Sequence, residues 1–178
     1  MSDISFLNPD EQNLLSGSLY KTAIWMSHID DEGSHDADEQ ERQALEAILK
    51  KSVRKFSAYP AIAEIAAEAL RREKYWPQWE KESDSALDDV AQSIALLTAR
   101  LVDDEVSAYK QLIMGVASSV AGAFDEGEDE NEGGLWASLS GLVVGAANPK
   151  LKAEMNTSPA EDSALTALTQ VLNAKKER

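Results

Sequence analysis

The stretch from Asn8 to Ile29, NPDEQNLLSGSLYKTAIWMSHI, decides the fold class of this chain. Asn8 is a favourable helix cap, Pro9 suits the first helical position, and Glu11 stands where its side chain can complete a capping box. Apolar residues then recur at the spacing of one helix face, which predicts a long first helix. That face comprises Leu15, Leu19, Met26 and Ile29.

The helical period continues along the chain, and no segment shows the sustained alternation of a strand. We therefore predict an all-α fold, with about seven helices in a single compact bundle. One domain should span residues 1–178, with the last residues frayed. The fifth helix, rich in Gly and Ala, is the candidate central helix. The six helices after the first are expected to begin near Asp36, Tyr59–Pro60, Ser85, Asp103–Asp104, Leu135 and Ser158–Pro159.

Composition excludes several classes of function. The formal charge of -15 argues against nucleic-acid and anionic-membrane surfaces, because both need a basic footprint. The absence of cysteine excludes disulfides, thiolate metal sites and cysteine nucleophiles. No signal-peptide pattern is visible, and the most apolar stretch, Leu112–Phe124, is too short to span a bilayer. We expect a cytoplasmic protein without membrane insertion.

Two acidic corners share one pattern, in which an apolar helix ends at Asp-Glu-Gly and an acidic loop follows. They are residues 29–33, IDDEG, and residues 123–127, AFDEG. Their positions, near the middle of each half of the chain, suggest a duplicated helical hairpin. Carboxylates beside the C-terminus of a helix meet the negative end of its dipole. Some acidic residues that follow the first corner, such as Asp36 and Glu39, could act only as caps of the next helix.

Crowded carboxylates without Lys or Arg nearby repel one another, and a hard divalent cation would relieve that repulsion. We predict a Ca²⁺ or Mg²⁺ site with Asp31 and Asp125 as central ligands. A shared ion requires the two carboxylates to lie within about 10 Å of each other. The supporting ligands would be Asp30, Glu39, Glu126 and Asp129.

Other sites fit the sequence less well. An EF-hand alignment puts His28 at the first ligand position, where that loop needs an oxygen ligand. A di-iron helical bundle needs more Glu-x-x-His pairs than the chain contains. Tyr75, Trp76 and Trp79 are interpreted as a lid on the core. A magnesium site of the nucleotide pyrophosphohydrolase type lacks the right spacing, so its four candidate carboxylates are interpreted as a solvated face. They are Glu64, Glu68, Glu80 and Asp84.

The repeated corner resembles the TerB-like family, which is associated with tellurite resistance. The matching residues are Asp31 and Gly33 with Glu39, then Asp125 and Gly127 with Glu132. Both corners depart from the family pattern by a glutamate between Asp and Gly. The resemblance implies about seven helices, a pseudo-twofold relation between halves, a divalent-cation site between the corners, and a role in stress-response assemblies.

Three functions remain open from the sequence. The first is a non-enzymatic acidic module that binds a divalent cation and a partner protein. The second is a metal-dependent hydrolase of nucleotides or phosphoesters, which would use the same carboxylates to hold magnesium. The third is an acidic scaffold protein whose carboxylates are only solvated. No catalytic residue and no organic cofactor is predicted.

Overall fold

A computed structural model describes residues 4–28, 39–123 and 159–173. These ranges contain seven α-helices and no strand, which confirms the all-α prediction. Short 3-10 turns at Glu73–Tyr75 and Ser83–Ser85 flank the fourth helix. The helices are α1 Pro9–Ser27, α2 Glu39–Lys55, α3 Pro60–Arg71, α4 Trp76–Lys81, α5 Ala86–Thr98, α6 Asp103–Ala123 and α7 Pro159–Asn173.

The start of α1 has the predicted capping box. The Glu11 amide donates to Asn8 Oδ1 over 2.8 Å, and the Asn8 amide donates to Glu11 Oε2 over 2.9 Å. Two of the amides that a helix start leaves without a partner are therefore satisfied by side chains. Pro9 occupies the first turn, where its missing amide hydrogen costs nothing.

The third predicted helix ends earlier than expected. Because proline disfavours helix at the residue before it, Pro77 predicts an end near Tyr75–Pro77. In the structure α3 stops at Arg71, and a 3-10 turn leads into the separate helix α4. Pro77 stands in the first turn of α4, where proline favours helix initiation. The predicted cap at Asp36 and the predicted helix near Leu135 lie outside the described residues.

One hydrophobic core receives side chains from every described α-helix. Most of α1 from Leu15 to Met26 is buried, so this helix is surrounded on all sides. The Gly- and Ala-rich helix α6 is also buried from Leu112 to Ser118, as a central helix should be. Within the described ranges, no helix has the length and apolar composition that crossing a bilayer requires.

Helix α5 runs antiparallel to α1. Lys21 bonds Asp89 over 2.7 Å, and the hydroxyls of Ser18 and Ser93 lie 2.9 Å apart. Arg100, just after α5, bonds the Glu11 carboxylate over 2.7 Å. Later residues of α5 thus contact earlier residues of α1.

Helix α6 then returns in the direction of α1. It begins three residues after Arg100, which also donates to the carbonyl oxygen of Phe6. Six residues into α6, the Tyr109 hydroxyl donates to the carbonyl oxygen of Leu15, which lies six residues into α1. Six residues of helix rise about 9 Å, so the two helices advance together. Their C-termini therefore lie at the same end of the bundle.

The absence of a side chain at Gly17 permits close packing between α1 and α4. A Cβ atom there would lie 3.1 Å from Cε2 of Trp79. Gly to Ala within a helix normally stabilises a protein, but Trp79 is buried and cannot move away freely. We expect Gly17→Ala to lower the free energy of unfolding by about 1 kcal/mol, measured by urea denaturation. In the Trp79→Phe background, Gly17→Ala should cost less, and equal costs would contradict the proposed clash.

Candidate functional site

The predicted cation ligands fall almost entirely beyond the described residues. Glu39 is the first residue of α2, and its side chain is not described. The duplicated-hairpin prediction remains a prediction, because both acidic corners lie outside the described ranges. The ligands predicted in those corners are Asp30, Asp31, Asp125, Glu126 and Asp129.

The helices that lead into the acidic corners are described, and they limit where the corners begin. Residues 29–38 follow α1 and contain five Asp or Glu residues without Lys or Arg. Residues 125–132, shortly after α6, contain six acidic residues, again without Lys or Arg. The last turns of α1 and α6 also carry no basic residue. Both acidic segments thus start from helix ends at one end of the bundle.

A buried carboxylate joins the three helices α1, α2 and α4. Glu80 of α4 has no exposed side-chain surface, and Arg42 of α2 contacts both of its oxygens. The distances are 2.8 Å from Arg42 Nη2 to Oε1 and 3.1 Å from Nε to Oε2. Tyr20 of α1 donates its hydroxyl to Oε2 over 2.8 Å. We call Tyr20, Arg42 and Glu80 the buried clamp.

Electrostatics keep the members of the buried clamp in complementary protonation states. Burial, and then the hydrogen bond to Glu80, raise the pKa of Tyr20 well above its usual range, so the phenol remains a donor. The hydrogen bonds to Glu80 raise the pKa of Arg42. An uncompensated charge in the core would be costly, and two donors from different helices compensate this one.

Aromatic rings pack against Tyr20 of the buried clamp. The Tyr20 ring stacks on Trp76 with centroids 4.7 Å apart, and Trp79 lies 5.9 Å from Tyr20. Trp76 and Trp79 are buried, which confirms their predicted role as core residues. Tyr75 is partly buried and stacks on Trp79. The Glu80 carboxylate is itself fully buried, and the low dielectric of its surroundings strengthens its hydrogen bonds.

The prediction of a solvated acidic face is wrong for Glu80, which the buried clamp holds in the core. Glu68 is also largely covered, with 17% of its side chain exposed, and it accepts hydrogen bonds from Arg71 and Arg72. Glu64 pairs with Arg71. Asp84 is exposed, as expected. No group of three or more Asp, Glu or His side chains suited to a metal occurs within the described part of the chain.

The sequence contains a signal for the buried clamp that the predictions above do not use. Trp76, Trp79 and Glu80 stand three and four residues apart, so they share one helix face. A carboxylate on the face of two tryptophans must be buried with them, and a buried carboxylate requires a cationic partner. The identity of that partner, Arg42, depends on tertiary packing between distant helices.

The pairing of Glu68 predicts a loss of stability in acid. Burial favours a raised pKa, but the hydrogen bonds from Arg72 and Arg71 hold the pKa of Glu68 below its usual 4.5. A lowered carboxyl pKa adds stability above the unfolded-state value, and that contribution disappears as pH falls below about 4.5. We expect Glu68→Gln to weaken the pH dependence of unfolding free energy between about pH 6 and pH 3. Glu73→Gln, at an exposed position, is the control, and equal profiles would contradict the assignment.

Comparisons with known proteins give no relative for this chain: no family model, no curated protein and no solved structure matches it. The TerB-like resemblance therefore stays a prediction based on the two short corner motifs.

Proposed function

We propose that this protein is a non-enzymatic acidic helical module that binds a divalent cation through its two acidic segments. One observation carries the proposal: α1 and α6 run in the same direction and end at the same end of the bundle. Each leads into a segment that is rich in carboxylates and free of Lys and Arg. Asp31 and Asp125 remain the proposed central ligands, supported by Asp30, Glu39, Glu126 and Asp129.

The chemistry of these segments suits a hard cation. Ca²⁺ takes six to eight oxygen ligands at about 2.3–2.6 Å, and Mg²⁺ combines one or two carboxylates with water. Carboxylates starting from neighbouring helix ends repel one another, and the negative end of each helix dipole adds to this repulsion. A bound cation would offset both effects. Ca²⁺ or Mg²⁺ is therefore the proposed ligand.

The same end of the bundle is the proposed contact surface for a basic partner protein, because charge complementarity steers association. A stress-response role and a cytoplasmic location belong to this proposal as well. The stress-response role is implied by the TerB-like resemblance alone, and the cytoplasmic location by the sequence.

No described residue favours the hydrolase alternative, since Glu64, Glu68 and Glu80 are already paired with arginines.

Titration with Ca²⁺, Mg²⁺ and Mn²⁺ tests the proposal. At a cation concentration about a hundred times the dissociation constant, the folded state should gain about 2.7 kcal/mol, visible as a higher melting temperature. Asp31→Asn with Asp125→Asn should remove both the calorimetric binding signal and the thermal shift. Asp103→Asn with Asp104→Asn is the matched control, because these exposed carboxylates lie at the start of α6.

Two results would contradict the proposal. An unchanged melting temperature in millimolar cation would favour the acidic scaffold, in which neutralising both corners slightly raises stability. Magnesium-dependent hydrolysis of nucleoside triphosphates that Asp125→Asn abolishes would favour the hydrolase.

A further inference from the structure

Two exposed apolar side chains lie at the end of the bundle where α1 and α6 begin. Among the residues that the structure describes, the large apolar side chains left exposed are those of Phe6, at 42%, and Val102, at 65%. Arg100 connects the two positions, because it donates to the carbonyl oxygen of Phe6 over 3.2 Å and stands two residues before Val102. Isolated apolar residues are common on protein surfaces. Here, however, both lie beside the same arginine.

The turn that carries Phe6 is held in place by its neighbours. Ile4 and Leu7 are buried in the core, and the Leu7 amide donates to the carbonyl oxygen of Ile4. The Gln12 side-chain amide donates to the carbonyl oxygens of Ile4 and Leu7, over 3.2 and 2.9 Å. Arg100 supplies the donor for the carbonyl oxygen of Phe6. The exposed Phe6 ring is thus attached to an ordered backbone, which lowers the entropy cost of using it as a contact.

Three exposed aspartates lie at the same end of the bundle. Arg100 adds no net positive charge there, because it pairs with Glu11 over 2.7 Å. Carboxylates in the first turn of a helix suit its dipole, which accounts for the aspartates but not for the exposed apolar pair. The aspartates are Asp10 in α1 and Asp103 and Asp104 in α6. Together with Phe6 and Val102, they are called the acidic apolar patch.

We propose that the acidic apolar patch is a docking surface for a basic segment of a partner protein. One apolar side chain of that segment would contact Phe6 and Val102, and its Lys or Arg side chains would face the aspartates. Charge complementarity selects this occupant. A second copy of the chain would oppose three aspartates with three more, and an anionic bilayer would be repelled for the same reason. Aromatic residues are enriched in protein interfaces, and Phe6 supplies one here.

This surface is separate from the proposed cation site. Helices α1 and α6 begin at the acidic apolar patch and end at the opposite end of the bundle. The 19 residues of α1 span roughly 28 Å. The inference therefore does not depend on cation binding, and the failure of either proposal leaves the other standing.

Peptides selected by the full chain from a random phage-displayed library are the probe, with affinities measured by fluorescence anisotropy. The selected peptides should carry net positive charge and at least one large apolar residue. Phe6→Ser should weaken their binding by about tenfold or more, and Val102→Ser by less. Both residues are exposed, so neither change should alter the melting temperature appreciably. A library without binders, or binders that Phe6→Ser leaves unaffected, would overturn the proposal.

A matched pair of double variants tests the charge requirement. Asp103→Asn with Asp104→Asn should weaken peptide binding at low salt and reduce its salt dependence. The control is Asp84→Asn with Asp88→Asn, which removes the same charge from exposed positions near the start of α5, at the far end of that helix from Arg100. Equal losses from the two pairs would mean general attraction to an acidic protein, and the docking surface would be rejected.

Two further measurements address the other occupants. Sedimentation velocity over a range of concentrations detects a second copy, and flotation with phosphatidylserine-containing vesicles detects a membrane. We expect neither self-association nor vesicle binding that Phe6→Ser abolishes. Either result would assign the acidic apolar patch to that occupant and overturn its assignment to a basic protein segment.

Discussion

Arg42→Met is expected to lower the free energy of unfolding by about 3 kcal/mol, because it leaves the buried carboxylate of Glu80 without its cation. Removing one partner of a buried ion pair commonly costs about 3–5 kcal/mol. We expect the lower end of that range, since 39% of the Arg42 side chain is exposed and water can partly replace it. For a chain of this size, such a loss lowers the melting temperature by about 6–12 °C. Urea denaturation and thermal unfolding measure the two quantities.

The control replaces the whole buried clamp with apolar residues. Arg42→Met, Glu80→Met and Tyr20→Phe together remove the uncompensated charge and the hydroxyl that would lose its acceptor. Buried ion pairs replaced by well-packed apolar residues are often neutral or stabilising. The triple variant should therefore be more stable than Arg42→Met alone. A triple variant as unstable as the sum of its single substitutions would contradict this account of the buried clamp.

Trp79→Ala is expected to have an equal or larger effect, lowering the free energy of unfolding by about 3–5 kcal/mol. Trp79 is 2% exposed, lies against Gly17 of α1 and contacts the rings of Tyr20 and Tyr75. Removing the indole leaves a cavity between α1 and α4, which rigid helices cannot close. Urea denaturation is the measurement.

Tyr75→Ala is the comparison for Trp79→Ala. Tyr75 is also an aromatic residue beside α4, but it is only partly buried. Its removal should cost clearly less than that of Trp79, because solvent can occupy part of the vacated volume. Similar losses for the two variants would show that Trp79 is not central to the packing of α1.

Helix starts were predictable because short-range chemistry determines them. Neighbouring residues alone are enough to predict the capping box at Asn8 and Glu11, the helix start at Pro60 and the start of α5 just after Ser85. The interior of the fold depends on contacts between distant segments. α1 carries a predicted apolar stripe, yet it is buried on all sides because α3, α4, α5 and α6 surround it.

The candidate site was less predictable than the fold. Glu80 follows a proline and two tryptophans, and Pro77 was expected to mark the end of the third helix, whereas it stands in the first turn of a new helix. Once that helix is recognised, the burial of Glu80 follows from its spacing to Trp76. The identity of its partners, Arg42 and Tyr20, does not follow from that spacing, because they are 38 and 60 residues away along the chain.

The central position of α1 has a consequence for biosynthesis. Its coverings α5 and α6 are translated much later, and 95 residues separate His28 from Ala123. At roughly 5–20 residues per second, the ribosome needs about 5–20 seconds to produce them after α1. Throughout that interval the nascent chain carries an apolar helix without its final neighbours, a situation in which chaperones commonly shield exposed hydrophobic surface.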